Sequence, residues 1–313
     1  MAQDKKRTWD NMNRLWSDLN TIVLDIQGNK YAIMSDIHLG DKGDADDFRD
    51  NEKALERALE HYKNNGYKLI LLGDIEEFWQ FDLDAIKNKY DKTIYTKIKT
   101  FGDENVFRVW GNHDSEWRVY DDPARNKQEK TRGAYEALKM KDANGEECIL
   151  LLHGHQGSTE SDKTSWFSRF WVRLFKNVEA LAKWLKLYGH SSATKSQVAK
   201  NYERIFYSWA KKNKRIVICG HSHRAIFASR SYIEKLKEQI GELQKAVLHD
   251  KSLTKKDKEQ KIEEIRKKTI ELLDEKQKNR EITATDNLKD IKPCYFNTGC
   301  ALYTNGITAI EIA

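Results

Sequence analysis

Five short polar clusters, each placed directly after an apolar run, constrain this chain more than any other feature. They are Ser35–Asp41 (SDIHLGD), Gly73–Trp79 (GDIEEFW), Gly111–Asp114 (GNHD), His153–His155 (HGH) and Gly220–His223 (GHSH). The preceding runs, Tyr31–Met34, Leu69–Leu72, Val106–Trp110, Ile149–Leu152 and Ile216–Cys219, are short and rich in β-branched or large apolar side chains. Such runs read as buried strands that end at Gly or a polar turn. In an α/β sheet, ligands gather outside the carboxyl ends of strands, so five such ends can converge on one point. Asp36 and His38 stand two residues apart, as do His221 and His223, and in extended backbone each pair faces one side.

Taken singly, a His-x-His or a Gly-Asp is ordinarily a polar turn or a helix cap. Five in order supply Asp, His and Asn in the mixture that two divalent cations need, and the joint pattern predicts a dinuclear metallohydrolase. Thiolate is missing from the set, which suits Mn(II), Fe or Zn(II), with Mn(II) favoured. Two divalent ions about 3.5–4 Å apart lower the pKa of a shared water and clamp phosphoryl oxygens during in-line attack. Asp41, Glu76, Glu77 and His155 lie within the clusters without a ligand assignment; contacts around the ligands or solvated loop positions are the two readings open to them.

The motif set resembles the calcineurin-like metallophosphoesterase superfamily, over about residues 30 to 228 and the terminal segment from Cys294. The resemblance implies an α/β fold, a double β-sandwich flanked by helices (αββα), with a two-metal centre at the carboxyl edge of its sheets. It also implies that Asp36, His38 and His223 hold the first metal, that Asp74 bridges, and that Asn112, His153 and His221 complete the second. His113 matches the family's general acid, and Asp114 the carboxylate beside it, expected to fix the His113 tautomer. Glu77 matches the acidic residue that the family often carries after the bridging aspartate, where an outer role is implied. The Asp-Arg-Gly of protein phosphatases is absent after Asp74, which argues against that branch.

Composition is consistent with these expectations. The 313 residues, 39% hydrophobic, suffice for a packed core with insertions. A net charge of +6 permits a polyanionic substrate without demanding nucleic acid. Cys148, Cys219, Cys294 and Cys300 lack paired metal spacing and read as buried thiols. The first residues carry no apolar leader, and no stretch reaches the roughly 18 apolar residues of a membrane span, so a cytoplasmic protein is expected.

The core is expected in residues 22–157, 214–230 and 291–313, preceded by a short helix carrying Trp9, Leu15, Trp16 and Leu19. Phe48–Asn65 reads as a helix closed by Gly66, and the acidic loop Asp41–Asp50 as solvated. Residues 158–213 read as a helical cap, where Phe167, Phe170, Trp171, Leu174, Val178, Leu181 and Leu185 form an apolar face with cations between. Such a face suits an apolar substrate with an anionic head or peripheral contact with a membrane; plain packing on the core is the alternative. A cap between these two motifs, and the GDIEEFW segment, are similar to the branch containing UDP-2,3-diacylglucosamine hydrolases of lipid A synthesis. That branch usually carries Arg where this chain has His113, so the resemblance implies a cousin whose leaving group is alkoxide-like.

Residues 231–290 are strongly charged, with Ile233, Leu236, Ile240, Leu243 and Val247 in a heptad seam and Ile262, Ile265 and Leu272 in a weaker one. They predict a helical hairpin, either a solvated arm or a docking surface for a second copy or another protein. The C-terminal run from Cys294 reads as two strands joined by a hairpin turn at Thr304-Asn305-Gly306. The resulting expectation is a metal-dependent hydrolase of a phosphoester or pyrophosphate bond in a small or lipid-linked substrate. A nuclease or nucleic-acid phosphatase is the runner-up, disfavoured because neither insertion shows a dense basic run with interleaved aromatics. A non-catalytic scaffold docking through the hairpin is the alternative of a different class.

Overall fold

Alternation along the strands sorts the apolar side chains into three layers. On β2 (Lys30–Met34) and β3 (Tyr67–Leu72), Tyr31, Ile33, Ile70 and Leu72 point one way, and Ala32, Met34, Leu69 and Leu71 the other. The first set packs against Leu138, Met140, Ile149, Leu151 and Ile218 from β5 (Ala137–Lys141), β6 (Glu147–Leu152) and β7 (Ile216–Cys219). This apolar layer lies between two sheets, as the period-2 pattern of a strand buried on both faces requires. The computed structural model describes residues 2–120, 134–157, 192–227, 230–250, 253–278, 294–303 and 306–313.

The smaller sheet has the order β11-β2-β3-β4, where β4 is Val106–Val109 and β11 is Ile310–Ile312. The larger has the order β1-β5-β6-β7-β10-β8-β9, adding β1 (Val23–Asp25), β8 (Ala225–Phe227), β9 (Arg230–Ser231) and β10 (Tyr295–Thr298). β2, β3 and β4 run parallel, as do β6, β7 and β10, so the polar clusters leave both sheets at the same kind of edge. Helices α2 (Glu52–Asn64) and α3 (Leu83–Tyr90) cover the outer face of the smaller sheet through Leu55, Leu59, Ile86 and Tyr90. The αββα double sandwich is therefore the observed architecture.

The outer face of the larger sheet is covered by α1 (Ala2–Ser17), through Met12 and Leu15, and by Phe206, Trp209 and Ala210. Those last three lie on the long helix Ser192–Asn213, whose end falls inside the segment expected as a cap. From Phe206 onward this helix is a layer of the sandwich: the apolar outer faces of β6 and β7 need a cover, and its aromatic residues provide it. The remainder of the expected cap, 158–191 with its apolar face, lies outside the described residues. Leu19 falls beyond the end of α1 and is 95% exposed, so it does not join the stripe of Trp9, Leu15 and Trp16.

Helices Tyr232–His249 and Lys255–Lys278 contact each other and follow β9 in the chain, while β8 and β10, on either side of this segment, are antiparallel neighbours. Leu236 is buried, Ile240, Leu243, Val247, Ile265 and Leu272 are half-buried, and Ile262 is exposed. The expected C-terminal hairpin is corrected. β10 and β11 belong to different sheets, and only an isolated bridge, Tyr303 to Gly306, marks the turn. Among the described residues no helix is long and apolar enough to cross a membrane.

Candidate metal centre

The ligand loops are not extended. Asp36, His38, Asp74, His221 and His223 have φ of 51°, 54°, 54°, 67° and 55°. The two-residue spacing works by placing left-handed residues alternately, not by the strand geometry expected from sequence. Non-glycine residues in this region cost about 1–3 kcal/mol each and persist where their surroundings over-determine them. Here Asp36 N donates to Gly73 O at 3.0 Å, His38 N to Asp74 O at 3.1 Å and Leu39 N to Ile75 O at 2.8 Å, locking the first two loops together. His221 N donates to both Asp36 carboxylate oxygens, at 2.9 and 3.1 Å.

Close approach explains two of the motif glycines. A Cβ on Gly111 would stand 2.6 Å from Asp74 N and collide with the Asp74 carboxylate. One on Gly220 would collide with Ser35 and the Asp36 carboxylate. Both carboxylates thus lie flat against glycine backbone.

The expected ligands gather in two groups whose donor atoms lie within 4.8 Å of one another: Asp36, His38 and His223; and Asp74, His153 and His221. His223 Nε2 is 3.1 Å from Asp36 Oδ1 and 3.2 Å from His38 Nε2. Asp74 Oδ2 stands between the groups, 3.0 Å from His153 Nε2 and 4.0 Å from His38 Nε2. His153 Nδ1 lies 2.9 Å from the Leu72 carbonyl, which can only accept, so Nδ1 carries the proton and Nε2 presents a lone pair to Asp74. Two lone-pair atoms at that separation require a cation or a further proton between them. Burial opposes charge on His153, but Asp74 and Asp36 prevail and push it up to about 10. Burial works against the Asp36 carboxylate too, yet His223 and His153 bring it down to about 2. Asn112 is buried with Oδ1 lacking any hydrogen-bond partner. The orphaned amide oxygen, the imidazoles crowded against carboxylates and the thiolate-free donor set fit divalent cations.

A third group, His38, Glu77 and His113, overlaps the first. Buried Glu77 accepts from His38 Nδ1 at 2.8 Å and from His113 Nδ1 at 2.9 Å, so both rings turn Nε2 away from it. Burial disfavours its charge, but His113 and His38 bring its carboxyl down to about 2. His113 stacks on Trp79 with centroids 3.9 Å apart, and Trp79 Nε1 donates to Asn112 O.

The role expected of Asp114 is corrected accordingly. Its carboxylate accepts from Gly111 N at 2.6 Å and Ile75 N at 2.8 Å, stapling two ligand loops, and it is Glu77 that holds the His113 tautomer. Burial, with Asp74 and Glu76 nearby, raises the Asp114 carboxyl to about 7.

Glu76 lies outside the ligand groups, fully buried between Arg108 (2.6 Å), Trp117 Nε1 (2.8 Å) and Tyr95 OH (2.9 Å). Asp41 caps its own loop at Gly43 N, and within the acidic loop Asp46 is buried, accepting from Lys42 N, Phe48 N and Tyr90 OH. His155 is buried and packs on Trp110, 4.8 Å between centroids.

Sequence reading assigned no role to the C-terminal segment, yet it buttresses the centre. Thr298 Oγ1 lies 2.5 Å from Ser35 Oγ, which in turn bonds Asp36, while Asn297 Nδ2 donates to Gly220 O at 2.6 Å. Tyr303 OH donates to His223 O at 2.8 Å. The signal available for this was the Asn-Thr-Gly at the end of an apolar strand, the same pattern as the other five clusters.

No curated protein and no solved structure matches the chain. The family model described as calcineurin-like phosphoesterase matches residues 30–225, a span that contains all seven expected ligands together with His113 and Glu77. With that model covering more than half of the chain and two sheets delivering Asp, His and Asn to one edge, the chain belongs to the calcineurin-like phosphoesterase family.

Proposed function

We propose that the chain hydrolyses a phosphoester or pyrophosphate bond in a small or lipid-linked phosphorylated substrate. The observation that carries this reading is the gathering of two imidazole–carboxylate groups at one edge, with Asp74 Oδ2 3.0 Å from His153 Nε2 and 4.0 Å from His38 Nε2. Asp36, His38 and His223 would hold one divalent ion, Asn112, His153 and His221 the other, and Asp74 both. Ions bound there supply charge to neutralise the phosphoryl oxygens and acidify water. Mn(II) is the favoured metal, and the donor set also accommodates Fe or Zn(II).

The chain's own residues do the rest. Glu77 holds a proton on His113 Nδ1, so the acid works from Nε2, and Trp79 fixes the ring plane. In the metal-free chain burial disfavours the imidazolium, but Glu77 and Asp74 raise His113 to about 9, and the Glu77 partner is what supports a proton donor at this ring. An acid in this position serves an alkoxide leaving group. That supports a relative of the UDP-2,3-diacylglucosamine hydrolase branch with a different substrate.

The test is hydrolysis of p-nitrophenyl phosphate and bis-p-nitrophenyl phosphate by Mn(II)-loaded protein, with Asp74→Asn beside it. Turnover by the wild type and its loss in the variant are expected. Equal rates in both would reject the reading.

A further inference from the structure

A cation stands at the end of a series of tilted and edge-on ring contacts that begins at the second ligand group. Arg118 lies on the turn immediately after the GNHD loop, where Trp117 N bonds Asp114 O and Arg118 N bonds Ser115 O. Its guanidinium sits over Trp110, with Cζ 5.2 Å from the ring centroid. Trp110 packs on His155, and His155 lies 5.6 Å from His153 and 6.5 Å from His221 between centroids. Trp110 and His155 are buried while Arg118 is exposed. The guanidinium thus rests against an aromatic ring while the side chain is exposed, and a planar five-donor fork held this way suits phosphate. No carboxylate among the described residues pairs with Arg118.

The acid lies elsewhere. His113 belongs to the group of His38 and Glu77 and stacks on Trp79, whereas the ring contacts from Arg118 end on His153 and His221. The centre therefore has two unlike flanks. A leaving group protonated by His113 would depart on that flank, which would place the retained part of the substrate on the flank of Trp110 and Arg118.

Resting on the proposed phosphoesterase reading, we infer that Arg118 binds a second phosphate carried on the retained side of the substrate. The substrate class is then a phosphoester with two phosphates, not a simple monoester.

Calorimetry on Mn(II)-loaded protein tests this without turnover, with an alkanediol bisphosphate and the matching alkyl monophosphate as probes. The bisphosphate is expected to bind about tenfold more tightly to the wild type, the worth of one charge-assisted phosphate contact. Arg118→Gln is expected to bring the ratio to about one, and Arg118→Lys, which keeps the charge, to retain part of it. Lys212→Gln, which alters a cation on the far helix layer, is the control expected to keep the full ratio. A wild-type ratio near one, or a full ratio in Arg118→Gln, overturns the inference. Failure of the phosphoesterase reading shows separately, as absence of p-nitrophenyl ester hydrolysis.

Discussion

Glu77→Gln separates the positioning of the acid from the holding of metal. The native carboxylate accepts from His38 Nδ1 at 2.8 Å and from His113 Nδ1 at 2.9 Å. An amide offers one accepting oxygen, and its NH2 group meets the second imidazole N–H donor to donor. One charge-assisted bond is lost beside a buried N–H, about 1.5–3 kcal/mol, which is roughly ten- to hundredfold in rate or affinity. If His113 is the ring left without a partner, kcat falls on alkyl phosphates and much less on p-nitrophenyl phosphate, whose leaving group needs little protonation. If His38 is that ring, the metal dissociation constant rises instead. Phosphate release from both ester types, together with metal competition against a fluorescent chelator, reads the two losses. Wild-type kcat on alkyl phosphates combined with wild-type metal affinity would refute the reasoning.

Three further outcomes are expected. Gly111→Ala places a Cβ against Asp74 and should lower metal affinity at least tenfold, about 1.4 kcal/mol, while circular dichroism shows a folded chain; unchanged affinity would remove the close-approach argument. In chelator-treated protein, Glu77 falls from 4.5 to about 2, so its contribution is complete above pH 4.5 and lost as pH falls toward 2. His113 rises from 6.5 to about 9, so its contribution is complete below 6.5 and lost as pH rises through 9. The difference in melting temperature between wild type and Glu77→Gln should therefore peak between pH 4.5 and 6.5, and a difference independent of pH would contradict it. Replacing residues 232–293 by a short turn should leave hydrolysis within about threefold of wild type, because β8 and β10 pair as neighbours without the arm; loss of activity in a folded variant would give the arm a role in the site.

Much of this arrangement was legible because strand burial and ligand placement share one pattern. Runs such as Tyr31–Met34 and Leu69–Leu72 are apolar on both alternating faces, which marks strands covered on both sides, and the polar residues follow at once. What stayed hidden depends on contacts distant in sequence. Asn305-Gly306 carries a genuine turn signal, but strand partnership is set by what each strand must reach. β10 has to bring Asn297 and Thr298 to Gly220 and Ser35, whereas β11 pairs with β2. The family resemblance implied Asp114 as the partner of His113, while Glu77 arrives from a neighbouring loop 36 positions away. Left-handed Asp and His residues are unreadable from composition, since only glycine advertises that conformation. The buried core role of Phe206 and Trp209 was masked because a stripe that packs on a sheet and one that covers a substrate have the same period.

The central claim is that one edge of the double sandwich holds two divalent ions about a shared Asp74. Elemental analysis of protein loaded with Mn(II) and freed of excess metal tests it most directly. About two equivalents per chain are expected, falling to one or fewer in Asp74→Asn because that carboxylate stands between both groups. One equivalent or none in the wild type, or two retained in Asp74→Asn, would contradict it.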